Sequence, residues 1–410
     1  MPGSINNHDG YVYLDYAATA PLCEEALEAM EPYLKATPAG IDLIAAGMNP
    51  NSLHAPGRAA FRALERARRD VASVIGADRP DTVTFTSGAT EADNMAVRGI
   101  ALAAAQGCGG KPHVITSAIE HDAVLECAKG MKRDGFAVDI LYPDRDGFIE
   151  VRQLEHVLAE IAESGEAPLL VSVQAANSEI GSIQPVRQLA DCAHSHGAYF
   201  HTDATQALGK MPVDVSEWDV DAASFSSHKV SGPRGIGALY VRKGIPMRAL
   251  FDGGGQEGGR RSGTQDVCSA AGFAAAAGAA SRDVEGDAAR LREFRDDLYE
   301  RLAAIDPIQP TVQVDRGSMD FLPNIVNVFF EGYESNTLLT RYDALGFGVS
   351  GGSACSSDST EPSHVLKAIG LPDDQALGEV RVSFGRYTTR DDIDGFMRAT
   401  LDVLDWERSR

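Results

Sequence analysis

Residues 81–105 read Asp-Thr-Val-Thr-Phe-Thr-Ser-Gly-Ala-Thr-Glu-Ala-Asp-Asn-Met-Ala-Val-Arg-Gly-Ile-Ala-Leu-Ala-Ala-Ala. The first six residues have the pattern of a strand, and residues 90–105 that of a helix. The same unit recurs outward from it. Residues 113–117 read as a strand before a helix over 122–133, and residues 169–173 as a strand before a helix over about 186–196. Residues 198–201 open a strand that ends at Asp203, residues 222–225 form another, and residues 237–242 read as its hairpin neighbour. Strands that alternate with helices predict an α/β fold with a largely parallel sheet covered on both faces. In such sheets ligands bind beyond the carboxyl ends of the strands. After the glycine-rich stretch 253–263 the pattern changes to a long charged helix over 281–305 and short strands over 324–330 and 380–384. The expected division is a large domain over residues 25–284 and a smaller α+β domain over residues 1–24 and 285–410.

The 410 residues carry 59 acidic and 37 basic side chains, a formal charge of −22. Phosphate backbones and anionic membranes repel such a chain, so neither nucleic acid nor a membrane surface is an expected partner. The first ten residues hold no basic stretch followed by an apolar one, and the alanine-rich run 268–280 is too short to span a bilayer. A cytoplasmic location is expected. Cys23, Cys108, Cys127, Cys192, Cys268 and Cys355 lie far apart with no C-x-x-C pair, which reads as reduced thiols and not as a zinc site or disulfide framework.

The chemistry gathers at the predicted strand ends. Ser87-Gly88-Ala89-Thr90-Glu91 opens a helix, where free N–H groups attract an anion; a Thr90 N-cap explains the same residues. Glu120-His121 follows the next strand, and His121 alone reads equally as a cap. Asp203 ends a third strand and suits an N-cap, a metal or a cationic ring. Ser226-Ser227-His228-Lys229 ends a fourth, where a lysine is ordinarily solvated surface. Together these residues place an anion cradle, an imidazole, a carboxylate and a lysine along one sheet edge. That set is what pyridoxal phosphate requires. A metal site from His201, Asp203 and His228 competes, but needs the strand to persist to Asp203 and leaves Lys229 and the Ser-Gly-Ala-Thr turn unexplained.

The chain resembles the cysteine desulfurases of the class V, fold-type I pyridoxal-phosphate family. The resemblance is carried by Leu14-Asp-Tyr-Ala-Ala-Thr19, Asn49-Pro-Asn-Ser-Leu-His54, Thr86-Ser-Gly-Ala-Thr-Glu91, His201-Thr-Asp-Ala-Thr-Gln206, Ser226-Ser-His-Lys229, Arg261-Ser-Gly-Thr264 and Gly352-Ser-Ala-Cys355. The last motif resembles the group with a long cysteine loop, to which the housekeeping iron–sulfur enzymes belong. The resemblance implies a seven-stranded sheet in the large domain. It implies that Lys229 holds the cofactor and moves protons at the substrate's α-carbon, and that Asp203 keeps the ring nitrogen protonated. Gln206 would meet the phenolic oxygen and His121 would stack on the ring as an acid/base group. Ala89, Thr90, Ser226 and His228 would hold the phosphate, with Thr264 contributed across a homodimer interface. Arg381 would bind the substrate carboxylate, a task suited to a bidentate guanidinium.

Cys127, Cys192 and Cys268 sit in helical patterns where packing is their expected role. Cys355 follows Gly351-Gly352-Ser353-Ala354, a setting in which a thiolate is accessible. The family mechanism makes that thiolate the acceptor of sulfur from L-cysteine, as a persulfide, with release of alanine to the medium and of sulfur to an acceptor protein. One departure touches the site. In Ala176-Asn177-Ser178-Glu179, Ser178 replaces the asparagine that reaches cofactor and substrate in the family, and Asn177 is the amide left for the substrate. Related reactions remain as alternatives: a selenocysteine lyase, an aminotransferase, or a sulfur-relay or assembly subunit. Cys355 favours sulfur transfer, since an aminotransferase needs no nucleophilic thiol.

Overall fold

The computed structural model describes residues 10–34, 47–106, 111–352 and 362–408. The chain enters through β1 (Val12–Tyr13) and the helices α1 (Glu24–Leu34) and α2 (Ala55–Val74). It then builds the main sheet from β2 (Val83–Thr86), β3 (Pro112–Ser117), β4 (Ala137–Leu141), β5 (Ala167–Ser172), β6 (Tyr199–Asp203), β7 (Ala222–Ser226) and β8 (Gly237–Val241). Between them lie α3 (Ala89–Ala104), α4 (Asp122–Arg133), α5 (Val151–Glu163) and α6 (Val186–Ser195). The strand order is β2-β8-β7-β6-β5-β3-β4. Only β8 runs antiparallel to its neighbours, and it is the hairpin partner of β7 that its sequence predicts. The α/β architecture with a mostly parallel seven-stranded sheet is therefore the one expected.

Burial explains the strand composition. Every residue of β7 and β8 is buried, so these strands read as continuous small or apolar runs and not as alternating ones. One face is covered by α3 and α4, through Ala92, Met95, Ala96 and Met131. The other is covered by α1, α2, α5, α6 and the later helix α7 (Val267–Ser281), around Phe200, Phe225 and Phe273. Truncating one of these fully buried phenylalanines to alanine costs ~3–5 kcal/mol. Helix α7 is the alanine-rich run. Its small side chains let α1 and α2 approach closely on one side, and no helix among the described residues is long and apolar enough to cross a membrane.

A second sheet follows α8 (Val284–Ala303): β9 (Ile308–Pro310), β10 (Ile325–Phe330), then α9 (Ser335–Ala344), β11 (Phe347–Gly348), α10 (His364–Ala368), α11 (Asp373–Ala376), β12 (Glu379–Ser383) and α12 (Arg390–Arg408). Its antiparallel order is β12-β10-β9, while β11 pairs in parallel with β1. Val380 and Val382 point into the core beneath α8 and α12. Strand alternation therefore turns Glu379, Arg381 and Ser383 the other way, toward the main sheet's loops. That choice of face positions the second wall of the site.

Candidate active site

A cavity of about 490 Å³ opens beyond the carboxyl ends of β2, β6 and β7. Its first wall comes from the main sheet. Helix α3 starts immediately after β2, with Gly88 as its N-cap at φ 154° and no side chain capping its first amides. An added Cβ at Gly88 would meet nothing within 4 Å, so the opening above these amides is left clear by the glycine. The expected N-cap at Thr90 is corrected accordingly: Thr90 lies inside the first turn. Uncapped amides at a helix start form an anion site. Ala89, Thr90, Ser226 and His228 line the cavity at this end. Burial and the nearby charges of Lys229 and Lys210 push the His228 imidazole down to about 4, so it is neutral near pH 7. Its Nδ1 lies 3.1 Å from the Thr19 hydroxyl.

Lys229 sits in the short turn after β7 and donates from Nζ to the carbonyls of Ala17 and Ala18, at 2.6 and 2.7 Å. Asp203 ends β6; its Oδ1 accepts the Thr205 amide at 2.9 Å. Gln206 donates to the Ala17 carbonyl at 2.9 Å and its Oε1 has no partner among the described residues. His121 is both things that its sequence context allows. Its Nδ1 accepts the Ala123 amide at 3.0 Å as the N-cap of α4, and its ring lines the cavity. Because Nδ1 accepts, the ring proton belongs on Nε2.

The strand does persist to Asp203, yet no metal set results. His201 is fully buried, with Nδ1 2.8 Å from the Ser172 hydroxyl and Nε2 2.9 Å from that of Ser224. Burial lowers it to about 3, a neutral ring behind the site. Among the described residues no three His, Cys, Asp or Glu side chains are grouped to hold a metal.

The second wall comes from the other sheet. Arg381 is 2 % exposed and lines the same cavity from β12. It donates to Asp15 Oδ1 at 2.9 Å and to the Ser178 carbonyl at 3.0 Å, while Nε finds no partner among the described residues. Ser178 itself lines the cavity. Asn177 does not, which corrects the substrate role expected of it. Its amide donates to the Ile119 carbonyl at 3.0 Å and accepts the Glu179 and Ile180 amides at 2.8 and 2.9 Å, so the side chain is spent on shaping the turn. Thr264 is exposed on the glycine-rich segment and lies off the cavity of its own chain. Cys355 falls within residues 353–361, outside the described residues.

Three residues of the cavity lining, Asp93, Gln174 and Arg234, have no counterpart in the sequence reading. Asp93 on α3 lines it, buried, with neither carboxyl oxygen hydrogen-bonded among the described residues. Burial and the charge of Asp203 raise its carboxyl well above the usual range, so it is a neutral acid. Gln174 and Arg234 also line the cavity. Behind the lining, Glu120, hydrogen-bonded by Ser117 and by the Gln174 amide, is pushed up to about 8 by burial. Asp93 is detectable in retrospect, since it falls on the same helical face as the apolar Ala92, Ala96 and Ile100 side of α3, where a carboxylate is out of place.

The lining combines uncapped helix amides, Lys229 and Arg234 with the carboxyl groups of Asp203 and Asp93. A ligand with an anionic phosphate and a cationic ring nitrogen matches that combination, so the residues fit pyridoxal phosphate.

The aminotransferase class-V family model matches residues 12–396. A cysteine desulfurase IscS from Dictyoglomus turgidum is 41% identical over 394 residues, covering 96% of this chain and 93% of that protein. One from Methanosarcina thermophila is 37% identical, covering 98% and 94%. Among solved structures, a NifS-like protein superposes with a TM-score of 0.85 at 33% identity, covering 97% of this chain and all of that one. SspA, solved in complex with cysteine, superposes at 0.74 with 32% identity, covering 92% and 100%.

Proposed function

The chain belongs to the class-V aminotransferase family and is a pyridoxal-phosphate-dependent cysteine desulfurase, and we propose that Lys229, Asp203, Arg381 and Cys355 carry its reaction. The observation that carries this assignment is the convergence of Lys229 and Asp203, from two strand ends of the main sheet, and Arg381, from the middle of β12 in the second sheet, on one cavity beside an uncapped helix start.

When bound, pyridoxal phosphate supplies an electron sink that weakens the bonds around the substrate's α-carbon. The α3 amides, Thr90, Ser226 and neutral His228 hold the phosphate. Asp203 keeps a proton on the ring nitrogen, and His121 presents Nε2–H from the N-cap of α4. Lys229 anchors the group and moves the proton at Cα; its two carbonyl partners orient Nζ toward the cavity. Arg381 grips the substrate carboxylate through guanidinium capacity that Asp15 and Ser178 leave open. Cys355 takes the sulfur as a persulfide, and alanine leaves. The chain works as a homodimer with Thr264 reaching the partner's phosphate site, in the cytoplasm, handing sulfur to an acceptor protein. Thr264 is exposed, and its segment is held in place by the buried pair Arg68–Glu257 at 2.6 Å.

The deciding experiment is a single turnover with L-cysteine followed by peptide mass spectrometry. The expected result is one added sulfur on Cys355 and one alanine released. Cys355→Ser should keep its bound cofactor and release no sulfide. Sulfur mapped to Cys127 or Cys192 would overturn the assignment; burial pushes both thiols up to about 12.

A further inference from the structure

Glu379 precedes Arg381 by two residues on β12 and is 2 % exposed. Its Oε1 accepts the Asn327 side-chain amide at 2.6 Å, and the same amide reaches the Glu179 carbonyl at 3.1 Å. Glu179, also 2 % exposed, follows Ser178 in the turn that Arg381 grips. Two carboxyl groups are thus buried together across the junction of the two sheets. Burial first, then the negative charge of Glu179, push Glu379 up to about 8, against the opposing pull of Asn327 and Arg381. Both acids also touch the chain on either side of residues 353–361. Ser350 exchanges two backbone hydrogen bonds with Arg381, at 3.1 and 2.6 Å. Two residues on, Gly352 sits so close to Glu379 that a Cβ there would lie 2.6 Å from Oε2, at φ 69°. On the far side, the Ser363 hydroxyl donates to Glu179 Oε2 while capping α10.

We infer that Glu379 and Glu179 are positioning residues that clamp together the Arg381 strand, the Ser178 turn and the two chain positions, Gly352 and Ser363, between which Cys355 lies. With the Glu379 proton in place one negative charge faces Arg381 from this side, and the guanidinium remains available to a carboxylate in the cavity. When base removes it, two buried anions oppose each other and both face Arg381, which already pairs with Asp15. The side chains hydrogen-bonded to the pair, Asn327 and Ser363, are neutral, and the Tyr299 hydroxyl behind Asn327 is held at about 12. This inference rests on the reading of Arg381 as the carboxylate site.

The test compares wild-type holoenzyme with Glu379→Gln, an uncharged mimic of the protonated acid. A carboxyl group held above its ordinary 4.5 contributes stability that is present in acid and lost as pH rises through about 8. The melting temperature of the Gln variant relative to wild type should therefore climb between pH 5 and pH 8.5. The ratio of wild-type to variant KM for L-cysteine should rise about threefold or more from pH 7 to pH 9, with kcat following less steeply. Taking the ratio cancels the titration of cysteine itself. Parallel melting curves would overturn the buried proton on Glu379, and a melting difference with a flat KM ratio would overturn the positioning role. Should Glu379→Gln fail to fold, Glu179→Gln serves instead: with at most one anion left beside Arg381, the rise in KM from pH 7 to pH 9 should shrink, and an undiminished rise is equally fatal. The melting arm needs no turnover, so it fails independently of the desulfurase reading.

Discussion

The two walls of the cavity bury titratable groups in opposite ways. The main-sheet wall hides a base: His201, uncharged, sits between Ser172 and Ser224 behind Asp203. The β12 wall hides an acid: Glu379, protonated, sits beside Arg381. Acid should therefore damage the first wall and alkali the second. The walls also differ in how they are held. Side chains of the first wall hang on the ends of β2, β7, β6 and β3, strands of one sheet whose spacing its ladder dictates. Those of the second depend on contacts across long stretches of chain, such as Arg381 to Asp15, 366 residues apart. Rigidity by ladder serves the cofactor, which stays; contacts between sheets serve the substrate, which must enter and leave.

The largest expected effect breaks the first wall at its chemical centre. Lys229→Ala should lower kcat by about a thousandfold or more, because no other lysine among the described residues lines the cavity. Borohydride treatment of wild-type holoenzyme should fix the cofactor to the peptide holding Lys229. A label on Lys210 instead would show that the neighbouring buried amine is the attachment point.

This wall was also the more legible. Lys229, Asp203, His121 and Thr90 each follow a strand whose pattern is plain, so topology alone assembles them. Asn177 was misread by a single residue: both it and Ser178 follow β5, and only the turn geometry decides which side chain faces the cavity. Glu379 was invisible for a different reason. On a strand read as Val380-Arg-Val-Ser-Phe384, an acid just before it passes for a solvated end, yet every residue of β12 is buried. No pattern in one strand reports that a second sheet will cover its polar face.

Next in size is the acid limb. Unfolding exposes His201, which then takes up a proton near its ordinary 6.5 while the folded ring resists to about 3. The stability that it contributes is complete above pH 6.5 and is lost as pH falls from there. Urea midpoints should record roughly 2 kcal/mol of loss from this residue between pH 6.5 and pH 4.5. His201→Gln, which cannot ionise but keeps partners for both serines, should flatten that limb. Equal slopes for variant and wild type would remove the buried base from the comparison.

Arg381→Lys sharpens the contrast from the substrate side. An ammonium loses the planar fork that serves Asp15, Ser178 and a carboxylate together. KM for L-cysteine should rise about 10- to 100-fold, with persulfide on Cys355 still formed at saturating cysteine. An equal fall in kcat at saturation would mean that the residue acts on the chemical step, and the division of labour between the walls would go with it.

The smallest effect is expected where an acid lies in the wrong wall. Asp93 lines the cavity beside Asp203, and either of two charge states can be imagined for the pair. If both were ionised, two anions would share a water-poor pocket, at a cost that grows as the dielectric falls. Burial and the charge of Asp203 instead drive the Asp93 proton on. Asn reproduces a protonated carboxyl in size and in having both a donor and an acceptor. Asp93→Asn should then change kcat/KM by no more than about fivefold, roughly 1 kcal/mol, near pH 7. Asp203→Asn removes the working charge and should cost about a hundredfold or more, with a displaced pH titration of the bound cofactor's absorbance. The two substitutions delete the same atoms from neighbouring side chains, so only the charge state separates them. If Asp93→Asn proves as damaging as Asp203→Asn, the anion is shared between both carboxyl groups, and the first wall holds no single working charge.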